Sequence, residues 1–451
     1  MKQNQKQRSL LEGNPMQCIL LFAIPIFFGN LFQIMYSLID TKIVGSILGE
    51  QALAAVGSVS TLYNLLTGFF NGLTMGFSVI VARHFGSGDE AKLKKSVAAS
   101  ITLGFLTVFV VVIAIVLGLN PILNFLNVPA EQLEMSYAYI RILVIGMFAT
   151  LAYNLCANCL RAIGDSMTPL VFLIIASVTN VVLDYVFILG TGLGVAGAAY
   201  ATVLSQLLSV VLCLIRIWKS FPVLRVGRKE FVLEKDMVAQ MYQSGLSMGF
   251  MSCFVNFGTL ILQTGINTLG TTIIVAHTAA RKVFEIWVLP ISVLGAAMAT
   301  YCSQNYGAEN FERIRLGLKE TLRLGIIWSA VVFVMAHTIS SALIRFIAST
   351  TNEEIIAWGR TYLEYDMSFL VVCAFIVILR NSMQGFGDYK TPVFSSFIEL
   401  VGKVVFALTF VKTAGYWGII WAEPVIWFFM VMPLLIKTFR NQQIFPRKLQ
   451  Q

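Results

Sequence analysis

Apolar residues along this chain gather into long stretches, set apart by short runs of glycine, proline and charge. A helix needs about 20 residues to cross ~30 Å of hydrocarbon. Twelve stretches qualify, at 16–44, 52–82, 96–119, 138–160, 169–190, 195–217, 240–266, 272–302, 321–347, 362–384, 392–412 and 416–437. The pattern predicts an all-α polytopic membrane protein of twelve transmembrane helices. Composition agrees: 57% of the residues are hydrophobic and 12% charged, against about 25% charged in a soluble domain. The polar start MKQNQKQRSLLEGNP is followed by an apolar run with no small-residue cleavage site, so residues 1–15 read as a cytoplasmic tail rather than a signal peptide.

The net charge of +9 suggests nucleic acid until its distribution is followed. Twelve spans place both termini on one side. Tails and loops of that side hold 23 of the 32 Lys and Arg, including Arg83 to Lys95, Arg216 to Lys235 and Arg313 to Arg323. The opposite loops hold Lys42, Arg141, Arg345, Arg360 and Lys412. This asymmetry is the positive-inside pattern. It puts both termini in the cytoplasm and leaves no stripe suited to nucleic acid.

The chain also repeats itself. ARHFGSGDEAKLKKSVAASITLG (82–104) aligns without a gap on SQNYGAENFERIRLGLKETLRLG (303–325), and NCLRAIGDSMTPLVF (158–172) on NSMQGFGDYKTPVFS (381–395). GVAGAAYAT (194–202) returns as YWGIIWAEP (416–424). Two six-helix lobes follow: an N-lobe over 16–217 and a C-lobe over 240–437, joined by a basic linker at 218–239 and followed by a tail at 438–451. Parallel repeats of this kind are expected to rock around a site near their interface. In the doubled G-D-x-x-T-P, Gly164 and Gly387 are expected to end one helix, Thr168 and Thr391 to cap the next, and Pro169 and Pro392 to open it. GLGVAG (192–197) is expected to be a tight loop, not a dinucleotide fingerprint. The seven cysteines show no disulfide or metal spacing, and CANC (156–159) reads as small packing side chains.

One stretch resists the lipid reading: NVVLDYVFIL (180–189) carries a carboxylate in an otherwise apolar span. Burial there costs at least roughly 2.5–3.5 kcal/mol. Asp184 lies about six residues, roughly 9 Å, from the outer end of its helix, and Asn180 shares its face one turn deeper. Thr202 on the next span and Asp40 on the first fall at similar depth. Two carboxylates in one low-dielectric pocket cannot both stay ionised cheaply, so they share a proton or a cation bridges them. Asn180 and Thr202 add neutral oxygens of the kind Na⁺ would use. A purely structural polar cluster is the other reading.

The two six-helix halves, the doubled RAIGDSMTP/QGFGDYKTP, ALAAVGSVSTLYNLL after the first span and GIIWAEP in the last together resemble the MATE (multidrug and toxic compound extrusion) transporters over essentially the whole chain. That resemblance implies a monomeric antiporter of the bacterial inner membrane. It would export amphipathic, cationic organic compounds in exchange for H⁺ or Na⁺, without a cofactor. Asp40, Asn180, Asp184 and Thr202 match the N-lobe cation and proton site of the DinF-type branch, with Tyr139 as a neighbour. Pro25 matches the bend of the first span. Gln33, Tyr36, Asn154 and Asn158 match its substrate chamber; interhelical hydrogen bonding is their alternative reading.

The C-lobe departs from the NorM-type branch, whose cation site uses acids on the seventh and tenth spans. Here FLVVCAFIVIL in the tenth span holds no acid. Arg281 with Glu285, and Glu399 with Lys403, are expected to be compensated i,i+4 pairs, and Glu423 to belong with them. His277 and His337 read as packed or surface residues and His84 as a loop residue. A lipid-linked-sugar flippase is the runner-up function, disfavoured by an acidic rather than basic chamber. An enzyme is disfavoured because no P-loop, HExxH or convergent His/Cys/Asp set is present.

Overall fold

In the computed structural model, which describes residues 10–446, eleven helices are long and apolar enough to cross a membrane, and a bent pair supplies a twelfth. They are α1 (Pro15–Leu48), α2 (Glu50–Gly86), α3 (Glu90–Leu117), α4 (Ala130–Ala162), α5 (Met167–Gly190) and α6 (Val195–Ser220). After the linker come α7 (Lys235–Asn267), α8 (Thr271–Gly307), α9 (Phe311–Ala348), α10 (Glu353–Ser368 with Leu370–Phe386, bent by 54°), α11 (Lys390–Ala414) and α12 (Tyr416–Arg440). Most outrun the apolar stretches that signalled them. α9 begins ten residues early, in the charged turns of FERIRLGLKE. Hydropathy marks only the part that meets lipid, and a helix continues into water wherever its polar turns are good helix formers.

The chain divides into two compact units. Unit one contains Ile24–Gly249, and unit two contains Leu10–Ala23 with Phe250 onward. The start of α1 thus packs in unit two and the start of α7 in unit one. Residues 1–9 of the first expected tail, and 447–451 of the last, lie outside the described residues.

The internal repeat is written into the backbone as well as the sequence. Positive φ recurs at matched positions: Gly49 (84°) and Gly270 (91°), Gly164 (91°) and Gly387 (95°), Gly194 (58°) and Gly415 (59°). Gly88 (72°) matches Glu309 (56°), a position where a side chain is strained. Asp89 and Asn310 cap α3 and α9 alike, accepting from the backbone N–H groups of Lys92 and Arg313.

The G-D-x-x-T-P hairpins form, with one correction. Asp165 and Asp388, not the threonines, cap the helices that follow. Asp165 accepts from the Thr168 N–H at 3.1 Å and the Thr168 hydroxyl at 2.6 Å; Asp388 accepts from the Thr391 N–H at 3.0 Å and the Thr391 hydroxyl at 2.8 Å. The helices start at Met167 and Lys390, so each proline sits third rather than first. An ionised cap at a helix N-terminus is favoured over a hydroxyl by the helix dipole. Asp165→Ala is therefore expected to cost about 1 kcal/mol, read as a lower melting temperature in detergent. An unchanged melting point would deny the cap its weight.

Within unit one, α2 and the start of α7 approach closely because each helix presents glycine to the other. A Cβ on Gly76 would fall 2.5 Å from the Ser244 carbonyl oxygen, and one on Gly245 2.5 Å from the Phe77 ring. The Ser244 hydroxyl donates to the Gly76 carbonyl at 2.7 Å. Small residues let helix backbones meet where lipid offers no hydrophobic drive for association.

Candidate functional site

Five helices of unit one converge around Asp184. It and Asn180 are completely enclosed, 0% exposed, and Tyr139 and Thr202 are buried beside them. Just past Asp184 the helix widens into a π turn, Val186–Gly190, a local device often found at functional sites. Asn180 Nδ2 donates to Thr202 Oγ1 at 3.4 Å, and the Thr202 hydroxyl donates to the Ala198 carbonyl at 3.1 Å. Tyr36 also meets Thr202. The carboxyls of Asp40 and Asp184 lie within hydrogen-bonding reach of each other, ringed by the phenols of Tyr36, Tyr63 and Tyr139.

Two carboxylates are both acceptors, so they bond only through something positive. Asp40 Oδ1, Asn180 Oδ1 and both oxygens of Asp184 are buried with no hydrogen-bond partner. Unpaired charge of this kind is costly inside a bundle. A proton on one carboxyl relieves it. So does a small hard cation, for which carboxylate, amide and hydroxyl oxygens are a suitable donor set. Among the described residues no group of three or more His, Cys, Asp or Glu could hold a metal ion.

Three further members were missed from the sequence. Thr150 donates to Gln206 at 2.6 Å, and Tyr63 joins the pair. Gln206 lies one turn from Thr202 on α6, so helical spacing was the available signal. Tyr63 sits in an apolar run that marks no face.

The chamber candidates differ in their setting. Tyr36 belongs to the acidic pocket, Gln33 is exposed and Asn154 half-buried. Asn158 has both ends of its amide engaged, donating to Thr74 Oγ1 at 3.0 Å and accepting from Arg161 at 3.2 Å. Pro25 is buried in the first third of a continuous α1, beside the point where that helix passes from unit two to unit one.

Unit two holds a charged network instead. The Glu399–Lys403 pair forms at 2.9 Å. Arg281 does not pair with Glu285. It reaches α12, where its Nη1 lies 3.2 Å from each oxygen of Glu423. Glu285 turns outward to Lys282 at 4.0 Å, both being more than half exposed. Lys403 also approaches Glu423 at 3.6 Å, and Arg380 approaches Glu399 at 3.6 Å. The tenth span does carry an acid: Asp366, just before the bend of α10, is 0% exposed. Tyr362 beside it stands at the repeat position of Tyr139 and accepts from Arg281 at 3.3 Å. His277 is buried against Tyr416 at 3.1 Å and His337 is exposed. His84 belongs to the last turn of α2, not to a loop. All seven cysteines are free.

A twelve-span, twice-repeated helical protein with an acidic pocket buried in one half is built as a membrane transporter. The MatE family model matches residues 25–186 and 247–409, one match in each half, and the chain belongs to that family. It is 26% identical over 416 residues to the probable multidrug resistance protein YoeA of Bacillus subtilis, covering 88% of both chains. It is 21% identical to the multidrug export protein MepA of Staphylococcus aureus, covering 89% of this chain and 88% of MepA. Among solved structures, the outward-facing conformation of a multidrug resistance MATE family transporter of the MOP superfamily superposes with a TM-score of 0.87 at 23% identity, over 96% of this chain and 97% of that one.

Proposed function

We propose that the protein is a secondary active antiporter of the bacterial inner membrane, both termini cytoplasmic, that exports amphipathic cationic organic compounds in exchange for H⁺ or Na⁺. The observation that carries this reading is the set of unpartnered acceptor oxygens on Asp40, Asn180 and Asp184. They sit inside a helical lobe where a positive species relieves them. The names of its relatives in Bacillus and Staphylococcus support multidrug export.

In this reading Asp40, Asp184, Asn180, Thr202 and Tyr139 form the coupling site. Gln33, Tyr36, Asn154 and Asn158 line the chamber, and Pro25 lets α1 bend, since proline removes one hydrogen bond of the helix. A cation and a cationic substrate compete for the same negative charge. Each shifts the two access states only through its different affinity for them. Substrate-stimulated flux in proteoliposomes tests this, with H⁺ and Na⁺ gradients imposed separately. Stimulation by one of the two gradients is expected; uptake indifferent to both would remove the antiport.

Topology is tested apart from transport. In a cysteine-free background, Arg228→Cys is expected to stay unlabelled by an impermeant thiol reagent in intact cells, and Glu353→Cys to label. The split of basic residues motivates this. Labelling from outside at position 228 would invert the arrangement.

A further inference from the structure

Unit one also carries a cavity, unconnected with the acidic site in its chemistry. It measures about 560 Å³ and lies between α3, α4 and α6 where they meet the linker. Its walls are apolar, with Ile101, Leu155, Leu214 and Val226 among them, while Trp218, Lys219 and Arg225 line it from the linker side. Leu214 and Trp218 are well exposed, 53% and 67%, on a helix of lipid-facing composition, so this end of the cavity opens to the membrane. Trp218 stands at the end of α6 in the manner of an interfacial anchor.

The cations at this mouth have no acid of their own. The nearby linker acids are committed elsewhere: Glu230 accepts from the Gly227 N–H at 2.7 Å, and Glu234 pairs with Lys95. Arg225 lies over the Trp218 ring at 5.4 Å, and its Nε is buried with no hydrogen-bond partner. Arg216 lies over the Phe221 ring at 5.9 Å. Among the described residues neither arginine nor Lys219 forms a salt bridge.

We propose that this cavity is a binding site for an anionic phospholipid, one acyl chain filling the apolar space and the phosphate held by Lys219 and Arg225. The volume falls in the ~300–1,000 Å³ range of small-ligand cavities. Basic pockets between membrane helices suit anionic head groups, and a buried apolar lining suits a chain with no polar atoms to satisfy. A cationic substrate is excluded from the mouth by charge. The site therefore makes no use of the acidic pair and does not depend on the transport reading.

Delipidated protein in detergent, titrated with phosphatidylglycerol and with phosphatidylcholine of the same chains, tests the proposal by native mass spectrometry. Phosphatidylglycerol is expected to bind at least ~10-fold more tightly than phosphatidylcholine. Lys219→Gln/Arg225→Gln is expected to abolish that preference, and Cys156→Phe, which puts a ring into the cavity, to weaken both lipids. Lys219 is exposed, and Arg225 is half-buried without a salt bridge to lose, so the melting temperature of the charge variant should stay close to that of the wild type. Equal binding of the two lipids, an undiminished preference in the charge variant, or saturation by inorganic phosphate alone would each overturn it. So would displacement of phosphatidylglycerol by a cationic dye, which would make the occupant a substrate.

Discussion

Asp184→Asn is expected to reduce coupled efflux of a cationic dye to the level of empty vesicles while leaving the protein folded. Asparagine has nearly the shape of aspartate and removes a charge whose burial is costly, so stability should hold or rise. What it cannot do is alternate between a charged form and a neutral or cation-bound one. Both Asp184 oxygens are enclosed and unpartnered, against one of Asp40, so of this pair Asp184 has the more to gain from an arriving proton or cation. Asp40→Asn should act in the same direction and less completely, because Asp40 is only half-buried. Tyr139→Phe should leave a measurable rate, since the phenol is a neighbour of the carboxyls rather than their bearer. Energised vesicles with matched expression give the measurement. An Asp184→Asn protein that pumps at the wild-type rate with an unchanged response to the ion gradient would move the coupling site elsewhere.

The N-lobe cluster was legible in sequence for a simple reason. Asn180 and Asp184 are four residues apart on a helix, and Thr202 and Asp40 sit at a depth that residue counting along neighbouring spans recovers. Repeats and spans were legible because hydropathy and glycine positions are local. What failed was non-local. Arg281 was assigned to Glu285 because i,i+4 is the one pairing a sequence displays. The partner it takes, Glu423, lies 142 residues away on α12. Asp366 escaped although it lies inside the expected tenth span, because the search for an acid there was confined to the wholly apolar run FLVVCAFIVIL, which starts three residues after it. The caps of α5 and α11 were misassigned within a single turn. Asp, Ser and Thr are all competent caps, and only geometry shows which one the backbone N–H groups face.

Lys403→Met is expected to destabilise the C-lobe strongly. Lys403 is only 3% exposed, bonded to Glu399 at 2.9 Å and 3.6 Å from Glu423. Gly258 leaves room for its stem: a Cβ there would lie 2.7 Å from Lys403 Cδ. Removing the ammonium strands negative charge in a dry interior, a change that costs about 3–5 kcal/mol when one partner of a buried pair is lost. Here the loss should fall toward the lower end, because Glu399 keeps Arg380 and Glu423 keeps Arg281. Glu399→Gln/Lys403→Met should recover much of it, since the double change removes both charges of the closest pair. Melting temperatures of the wild type, both single variants and the double variant form the cycle that isolates the coupling. Glu423→Gln belongs beside it as a transport control. If the network serves the fold, that variant keeps substantial efflux, and Lys403→Met loses activity only as far as it loses folded protein. A Lys403→Met protein that melts like the wild type yet no longer transports would make this network a working part of the transport cycle.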